Sequence, residues 1–188
     1  MFHNCLKYEN RKGEVSMEKL IETYKKKRAF VGASEEEMKT LLELEKDSLP
    51  EELILFFKEA MAEKEVKMGD FVLYPIERVK EENLNYVPGA NIYPLGLFTF
   101  ASTLDGDAIC VDITKPEGHV YQCSHSLLSD SEIAFYKQKM VSLELNYENV
   151  IKCSVELAGS FKEFMEWVKT GRRRCYNVTS YVLDNYKE

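Results

Sequence analysis

The sequence predicts an α+β fold, a single domain in which N-terminal and C-terminal helices flank an antiparallel or mixed sheet. Three observations lead to this prediction. The length of 188 residues suits one domain. Apolar residues recur at helical spacing towards both ends of the chain. The middle of the chain contains two consecutive hairpin patterns.

The N-terminal part begins with two predicted helices. Four apolar residues are spaced for one face of the first: Met17, Leu20, Ile21 and Tyr24. This pattern predicts a helix that ends at about Phe30. Ser34 and Glu37 have the spacing of a capping box, so a second helix is expected from there to about Lys46.

A third helix is predicted after Ser48, which can act as its cap, and Pro50 is tolerated in its first turn. Its expected buried face consists of Leu53, Phe56, Phe57 and Ala60. A strand at residues 71–74 and a short helix at residues 76–83 follow. Residues 85–94 contain a Pro-Gly pair and are predicted to form an exposed loop.

The clearest strand pattern lies in the centre of the chain. Residues 97–100 and 108–113 are predicted strands, joined by an Asp-Gly-Asp turn at residues 105–107. A further strand is expected at residues 119–124. We predict that three apolar side chains of this sheet are buried: Phe98, Ile109 and Val111.

The register of the second hairpin follows from its turn at residues 115–118. If Ile113 pairs near His119, then Tyr121 and Cys123 lie on the same face of the sheet as Val111. The core face would then continue across this pair of strands.

Two helices are predicted after the sheet. Ser129 and Glu132 form a second capping-box pattern, which would open a helix carrying Ile133, Phe135, Tyr136 and Met140. The last helix is indicated by Leu157, Phe161, Phe164 and Val168. Gly171 is expected to end it.

Charge is distributed unevenly along the chain. Residues 31–133 hold 21 acidic and 8 basic side chains, a net charge of −13, whereas residues 1–30 are net +4 and residues 134–188 net +2. An acidic centre repels nucleic acid and attracts a basic partner. Glutamate-rich helix surfaces are also common in cytoplasmic proteins, so a purely solvating role stays open.

No motif of high specificity for catalysis or cofactor binding is present. Phosphate-binding loops of the GxxxxGK[ST] and GxGxxG types are absent, and the five cysteines form no CxxC pair. Zinc is the first candidate at His119, Cys123 and His125. Residues 119 and 123 of one strand lie ~13 Å apart, too far for ligands of one ion.

Cys123 and His125 are also neighbours that a nucleophilic site would use, but no strand-turn-helix elbow surrounds them. We therefore expect no enzyme activity, no metal and no cofactor. No stretch is apolar over the ~18 residues that a membrane span needs, and the first residues lack an apolar signal segment. These features predict a cytoplasmic protein that binds neither membrane nor nucleic acid.

Five motifs in order resemble the SUKH superfamily, which includes fungal cell-wall-synthesis regulators. They are LPEELILFF at residues 49–57, YPIERV at 74–79, the strand and DGD turn at 95–112, GHVY at 118–121 and SFKEF at 160–164. The similarity extends over about residues 35–170. It is carried by the order and spacing of the motifs rather than by any one of them.

The resemblance implies a curved sheet with helices packed on it and a non-enzymatic role. It divides the chain into an arm and helix at residues 1–30, a SUKH-like domain at residues 31–171 and a tail at residues 172–188. Bacterial members are mostly immunity proteins that bind and neutralise a toxin, commonly a nuclease. The alternative is a regulatory scaffold that binds other proteins, with an enzyme as a distant third.

For the contact with a basic toxin domain we predict exposed carboxylates beside the hairpins. Asp105, Asp107 and Glu117 are chosen because turn residues project from a sheet. Helix glutamates such as Glu59 or Glu63 would serve the same purpose equally well.

Overall fold

The computed structural model describes residues 15–44, 49–134, 142–171 and 175–185. Its strands are β1 (Val66–Met68), β2 (Phe71–Leu73), β3 (Leu97–Thr103), β4 (Ala108–Asp112), β5 (Val120–Cys123), β6 (Glu132–Ala134), β7 (Ser142–Glu144) and β8 (Ser154–Ala158). Its helices are α1 (Met17–Lys25), α2 (Glu35–Leu44), α3 (Glu51–Ala60), α4 (Ile76–Leu84), α5 (Gly89–Ile92), α6 (His125–Leu128), α7 (Tyr147–Lys152), α8 (Phe161–Thr170) and α9 (Val178–Asn185).

A six-stranded sheet in the order β1-β2-β3-β4-β5-β8 forms the centre of the fold, and all of its neighbouring strands are antiparallel. Strands β6 and β7 pair in a separate two-stranded ribbon. Helices flank the sheet, so the fold is a single α+β domain, as the sequence predicts. Among the described residues, no helix is both long enough and apolar enough to cross a membrane.

Local chemistry fixes several helix ends. The Ser34 hydroxyl accepts a hydrogen bond from the Glu37 amide at 3.2 Å, and the Glu37 carboxylate accepts from the Ser34 amide at 2.7 Å. This reciprocal arrangement confirms the predicted capping box of α2. Gly171 adopts a left-handed conformation with φ 62° and ends α8, also as predicted.

An aromatic core joins α1, α3 and α8 to one face of the sheet. The ring of Phe100 in β3 contacts the rings of Phe161 and Phe164 in α8. Phe161 also touches Phe56 in α3, which in turn packs edge-on against Tyr24 in α1. Helix α1 is therefore part of the same core as the sheet.

Helix α4 covers part of the opposite face. The Asn83 side chain donates to the Thr99 carbonyl at 2.8 Å, and its oxygen accepts from the Thr99 amide at 2.9 Å. With both faces packed, every residue of β3, β4 and β5 is buried. The predicted burial of Phe98, Ile109 and Val111 is confirmed.

The predicted register between β4 and β5 is wrong by one residue. Val111 pairs with Val120, and Cys110 pairs with Tyr121. Since neighbouring side chains alternate between faces, Tyr121 and Cys123 lie on the face opposite to Val111. Every residue of both strands is buried, so no exposed polar side was present in the sequence to fix the register.

Three segments differ from their predicted structure. The expected loop at residues 85–94 contains α5 and the start of a 3-10 turn, with Ile92 fully buried. Ser129 and Glu132 do not open a helix, because Glu132 begins β6. Leu157 belongs to β8 rather than to the last helix, whose cap is Ser160.

Some predictions lie outside the described residues: those for Lys46, Ser48, Phe135, Tyr136 and Met140. Strand β1 was not predicted, because it has only three residues and one of them is a lysine. Helix α1 ends at Lys25, before its predicted end at Phe30, which instead pairs with Ala62 in an isolated bridge. The predicted helix at residues 76–83 and the buried face of α3 are confirmed.

Candidate functional site

The three predicted contact carboxylates do not come together. Asp105 and Asp107 lie in the turn between β3 and β4, and Glu117 lies in the turn between β4 and β5. These turns are at opposite ends of β4, whose first and last residues lie about 13 Å apart. The two ends of the sheet are therefore distinct candidate surfaces.

Asp107 is not a projecting turn residue. Its side chain is half-buried, and its carboxylate accepts hydrogen bonds from the Gln122 amide group and the His125 backbone amide, both at 2.9 Å. Burial raises the pKa of Asp107, although these hydrogen bonds oppose the shift. The expectation that Asp107 is exposed is wrong, because this carboxylate joins the turn to β5 and α6. Asp105 and Glu117 are exposed.

Glu117 borders a cleft at one end of the sheet. The cleft has a volume of about 920 Å³ and lies between the β4–β5 turn and the N-terminal ends of α3 and α8. We call it the acidic cleft, after its five glutamates: Glu51, Glu52, Glu117, Glu163 and Glu166. Two lysines, Lys115 and Lys162, also line it.

Some of these charges are used within the fold. The Glu52 carboxylate accepts from the Lys162 backbone amide at 3.0 Å, and that of Glu163 accepts from the Gly159 amide at 2.9 Å. Glu51 and Glu117 are exposed, and neither forms an ion pair within the described part of the chain. These two carboxylates remain available to a partner.

Lys115 does not neutralise the glutamates of the acidic cleft, because its ammonium group already binds two other side chains of the fold. Its Nζ lies 3.1 Å from the Tyr121 hydroxyl and 3.2 Å from the Asp112 carboxylate. The hydrogen bond to Tyr121 is the largest cause of a raised pKa of Lys115, and Asp112 adds to it. The lysine is therefore charged and already paired.

Asp112 anchors this end of the sheet from inside. It is fully buried, and its carboxylate accepts from the Thr114 hydroxyl and from the Tyr147 hydroxyl, both at 2.6 Å. Burial alone would raise the pKa of Asp112, but the hydrogen bonds from Thr114 and Tyr147 outweigh it and the pKa is lowered. The carboxylate thus stays ionised and fixes the turn that carries Glu117.

A second concave surface lies towards the β3–β4 turn. This groove of about 470 Å³ is called here the tyrosine–arginine groove, after the residues Tyr74, Arg78, Glu82, Tyr86, Val87 and Leu104 that line it. Asp105 is also at its border. Of the predicted contact residues, Glu117 therefore belongs to the acidic cleft and Asp105 to this groove.

The guanidinium of Arg78 is the centre of the groove. It lies 4.7 Å from the ring centre of Tyr86 and 5.6 Å from that of Tyr74, distances typical of cation–π contact. One guanidinium nitrogen is 2.6 Å from the Glu82 carboxylate. Burial raises the pKa of Glu82, with Arg78 opposing that shift.

The residues considered for zinc or nucleophilic chemistry are separated in the fold. Cys123 is fully buried and its sulfur accepts from the Ser154 hydroxyl at 3.3 Å. His125 is exposed, and His119 lies 3.4 Å from Glu156. Within the described ranges, no group of three or more His, Cys, Asp or Glu side chains has the arrangement of a metal site.

No family model, curated protein or solved structure matches this chain. The case for function therefore rests on the two concave surfaces. The sequence predicted Glu117 and Asp105 as contact residues but not the glutamates of α3 and α8. These glutamates are distant from one another and from the β4–β5 turn in sequence, and they meet only in the fold. Nor did the sequence predict Arg78 and Tyr86, since no linear pattern shows that an arginine lies between a buried tyrosine and an exposed one.

Proposed function

We propose that this chain is a non-enzymatic binding protein of the SUKH type that acts as an immunity protein. It would neutralise a basic toxin domain, such as a nuclease, by direct contact in the cytoplasm. The single observation that carries this proposal is the acidic cleft, where Glu51 and Glu117 are exposed and unpaired within the described residues while Lys115 is held internally.

The physical argument is one of charge complementarity. A nuclease needs Lys and Arg side chains to hold phosphate groups. An acidic inhibitor offers carboxylates to the same side chains, and its field also accelerates the encounter. Neither the binding by carboxylates nor the faster encounter requires a metal, a cofactor or a reacting group on this chain.

Co-expression tests the proposal. If a toxin domain is encoded beside this gene, that domain is expressed in bacteria with and without the chain, and growth is measured. We expect the chain to restore growth, and the double variant Glu51→Lys, Glu117→Lys to lose this protection. Glu35→Lys is the matched control, because Glu35 begins α2 as Glu51 begins α3 and is also exposed.

Failure of the folded wild-type chain to protect against the neighbouring toxin would overturn the proposal. A gene setting without a toxin, together with a stable complex with a regulatory protein, would instead support the scaffold alternative. If the double variant still protected the cells, the immunity role would stand, but the acidic cleft would not be the surface that binds the toxin.

A further inference from the structure

The tyrosine–arginine groove collects exposed apolar surface at one place. Leu104 is 50% exposed, Tyr86 45% and Val87 41%, and all three border the same concavity. Single exposed apolar side chains are ordinary on protein surfaces, but a cluster around a groove indicates a contact surface. Tyrosine and arginine are also the side chains that most often dominate binding energy at protein interfaces.

The groove is held in shape before any partner arrives. Arg78 is stacked on Tyr86 and Tyr74 and bound by Glu82, so its long side chain has already lost much of its freedom. Asn83, one turn along α4, fixes this helix to β3. A preordered surface pays less entropy on binding, which favours its use as a docking site.

The charges that line the tyrosine–arginine groove favour a partner of opposite charge. Arg78 is the only basic residue that lines it in the described chain, apart from His125, whereas Glu65, Glu82 and Asp105 are acidic. Glu82 is neutralised by Arg78 at 2.6 Å, and Glu65 lies further away at 3.7 Å. Asp105 is exposed and forms no ion pair among the described residues. The rim of the apolar patch is therefore negative.

We propose that the tyrosine–arginine groove docks a short cationic segment of a partner protein. An apolar side chain of that segment packs among Tyr86, Val87 and Leu104, and a flanking Lys or Arg pairs with Asp105 or Glu65. This inference rests on the proposed binding of a basic protein for the class of its partner. It adds an apolar anchor, because the exposed large apolar side chains of the groove have no counterpart among the described residues that line the acidic cleft.

Three synthetic peptides of equal length test the docking site: one alternating Lys and Leu, one alternating Lys and Ser, and one alternating Glu and Leu. Each is titrated into the isotopically labelled full chain, and amide chemical shifts are followed by NMR. We expect only the Lys/Leu peptide to bind, with the largest shifts at residues 86–87 and 102–106.

Matched variants locate the contact. Leu104→Ser should weaken binding of the Lys/Leu peptide by about tenfold or more, and Asp105→Lys should weaken it several-fold. Leu84→Ser should change it less than twofold, because Leu84 is 46% exposed but does not line the groove. The NMR spectrum of each variant verifies that it is folded.

Glu117→Lys separates this inference from the proposed function, since Glu117 belongs to the acidic cleft. Peptide binding lost in Glu117→Lys but kept in Leu104→Ser would overturn the groove inference and leave the proposed function intact. Equal binding of the Glu/Leu peptide, or no binding of the Lys/Leu peptide at millimolar concentration, would also overturn it. If the groove binds the Lys/Leu peptide as expected but the chain does not protect cells from the toxin, only the proposed function is overturned.

Discussion

Asp112 holds two side chains that line the acidic cleft, Thr114 and Lys115. Its buried carboxylate receives hydrogen bonds from Thr114 and Tyr147 and an ion pair from Lys115. A carboxylate satisfied in this way stabilises the fold, whereas removing it leaves the half-buried Tyr147 hydroxyl and the Lys115 ammonium group without their acceptor.

Replacement of Asp112 by Asn should therefore lower the free energy of unfolding by about 2–4 kcal/mol at neutral pH. Because the folded-state pKa is lowered, this stabilisation is complete above the ordinary Asp pKa of about 3.9 and is lost as the pH falls through the folded-state value. Denaturant unfolding of both proteins at several pH values measures the difference. Asp130→Asn, at an exposed position, is the control, and a difference independent of pH would contradict the assignment.

A substitution at Val111 tests the placement of the hydrophobic core, again at the level of a single residue. It is fully buried in β4, so Val111→Asp would place an unpaired charge in an apolar environment. We expect a loss of about 3–5 kcal/mol in unfolding free energy, or failure to fold. Val31→Asp should change it by less than about 0.5 kcal/mol, because Val31 is 59% exposed. Similar effects of the two substitutions would show that this core is placed incorrectly.

At the level of elements, the β4–β5 turn forms one wall of the acidic cleft by packing on the start of α3. Gly118 has a φ of 64°, and a Cβ built on it would lie 2.6 Å from the Pro50 ring and 3.0 Å from Val111. The turn requires glycine for both its conformation and its close approach. Gly106, in the β3–β4 turn, also has a positive φ of 91° but has no atom within 4 Å of such a Cβ.

This contrast predicts different costs for the same substitution. Gly106→Ala should cost about 1 kcal/mol from backbone strain alone. Gly118→Ala should cost about 1–3 kcal/mol more, since Pro50 or the turn must move. Thermal and denaturant unfolding of the two variants give the comparison. Equal destabilisation would mean that the turn does not pack on α3 as described.

Elements set by local chemistry were predictable from the sequence. The Ser34–Glu37 capping box, the apolar face of α3 and the Asp-Gly turn after β3 each depend on residues close in sequence. The β4–β5 register was not predictable, since both faces of these strands are buried and neither is marked by exposed polar residues. Residues 85–94 were mistaken for a loop because the Pro-Gly signal outweighed a single buried isoleucine.

The candidate site was harder to predict from the sequence than the fold was. Glu51, Glu117 and Glu163 are brought together from α3, the β4–β5 turn and α8, and no linear pattern links them. Asp107 was misjudged because an Asp-Gly-Asp turn does not reveal which carboxylate faces inward. Its bonds to Gln122 and His125 are tertiary contacts.

For the whole molecule, the two concave surfaces lie towards opposite ends of β4 and differ in character. The acidic cleft offers charge, and the tyrosine–arginine groove offers apolar area with a negative rim. A partner that used both surfaces would have to reach at least the length of β4, about 13 Å. This arrangement suits a folded protein domain better than a small ligand.

If long-range electrostatic attraction brings the toxin domain to the acidic cleft, the rate of their association must depend on salt. Stopped-flow binding is measured from about 0.01 M to about 0.15 M salt, over which the Debye length falls from ~30 Å to ~8 Å. We predict that association of the wild-type chain slows by about tenfold or more over this range. The variant Glu51→Lys, Glu117→Lys should be slower at low salt and less sensitive to salt, while Glu35→Lys behaves like the wild type. Association rates that respond neither to salt nor to these reversals would contradict the account.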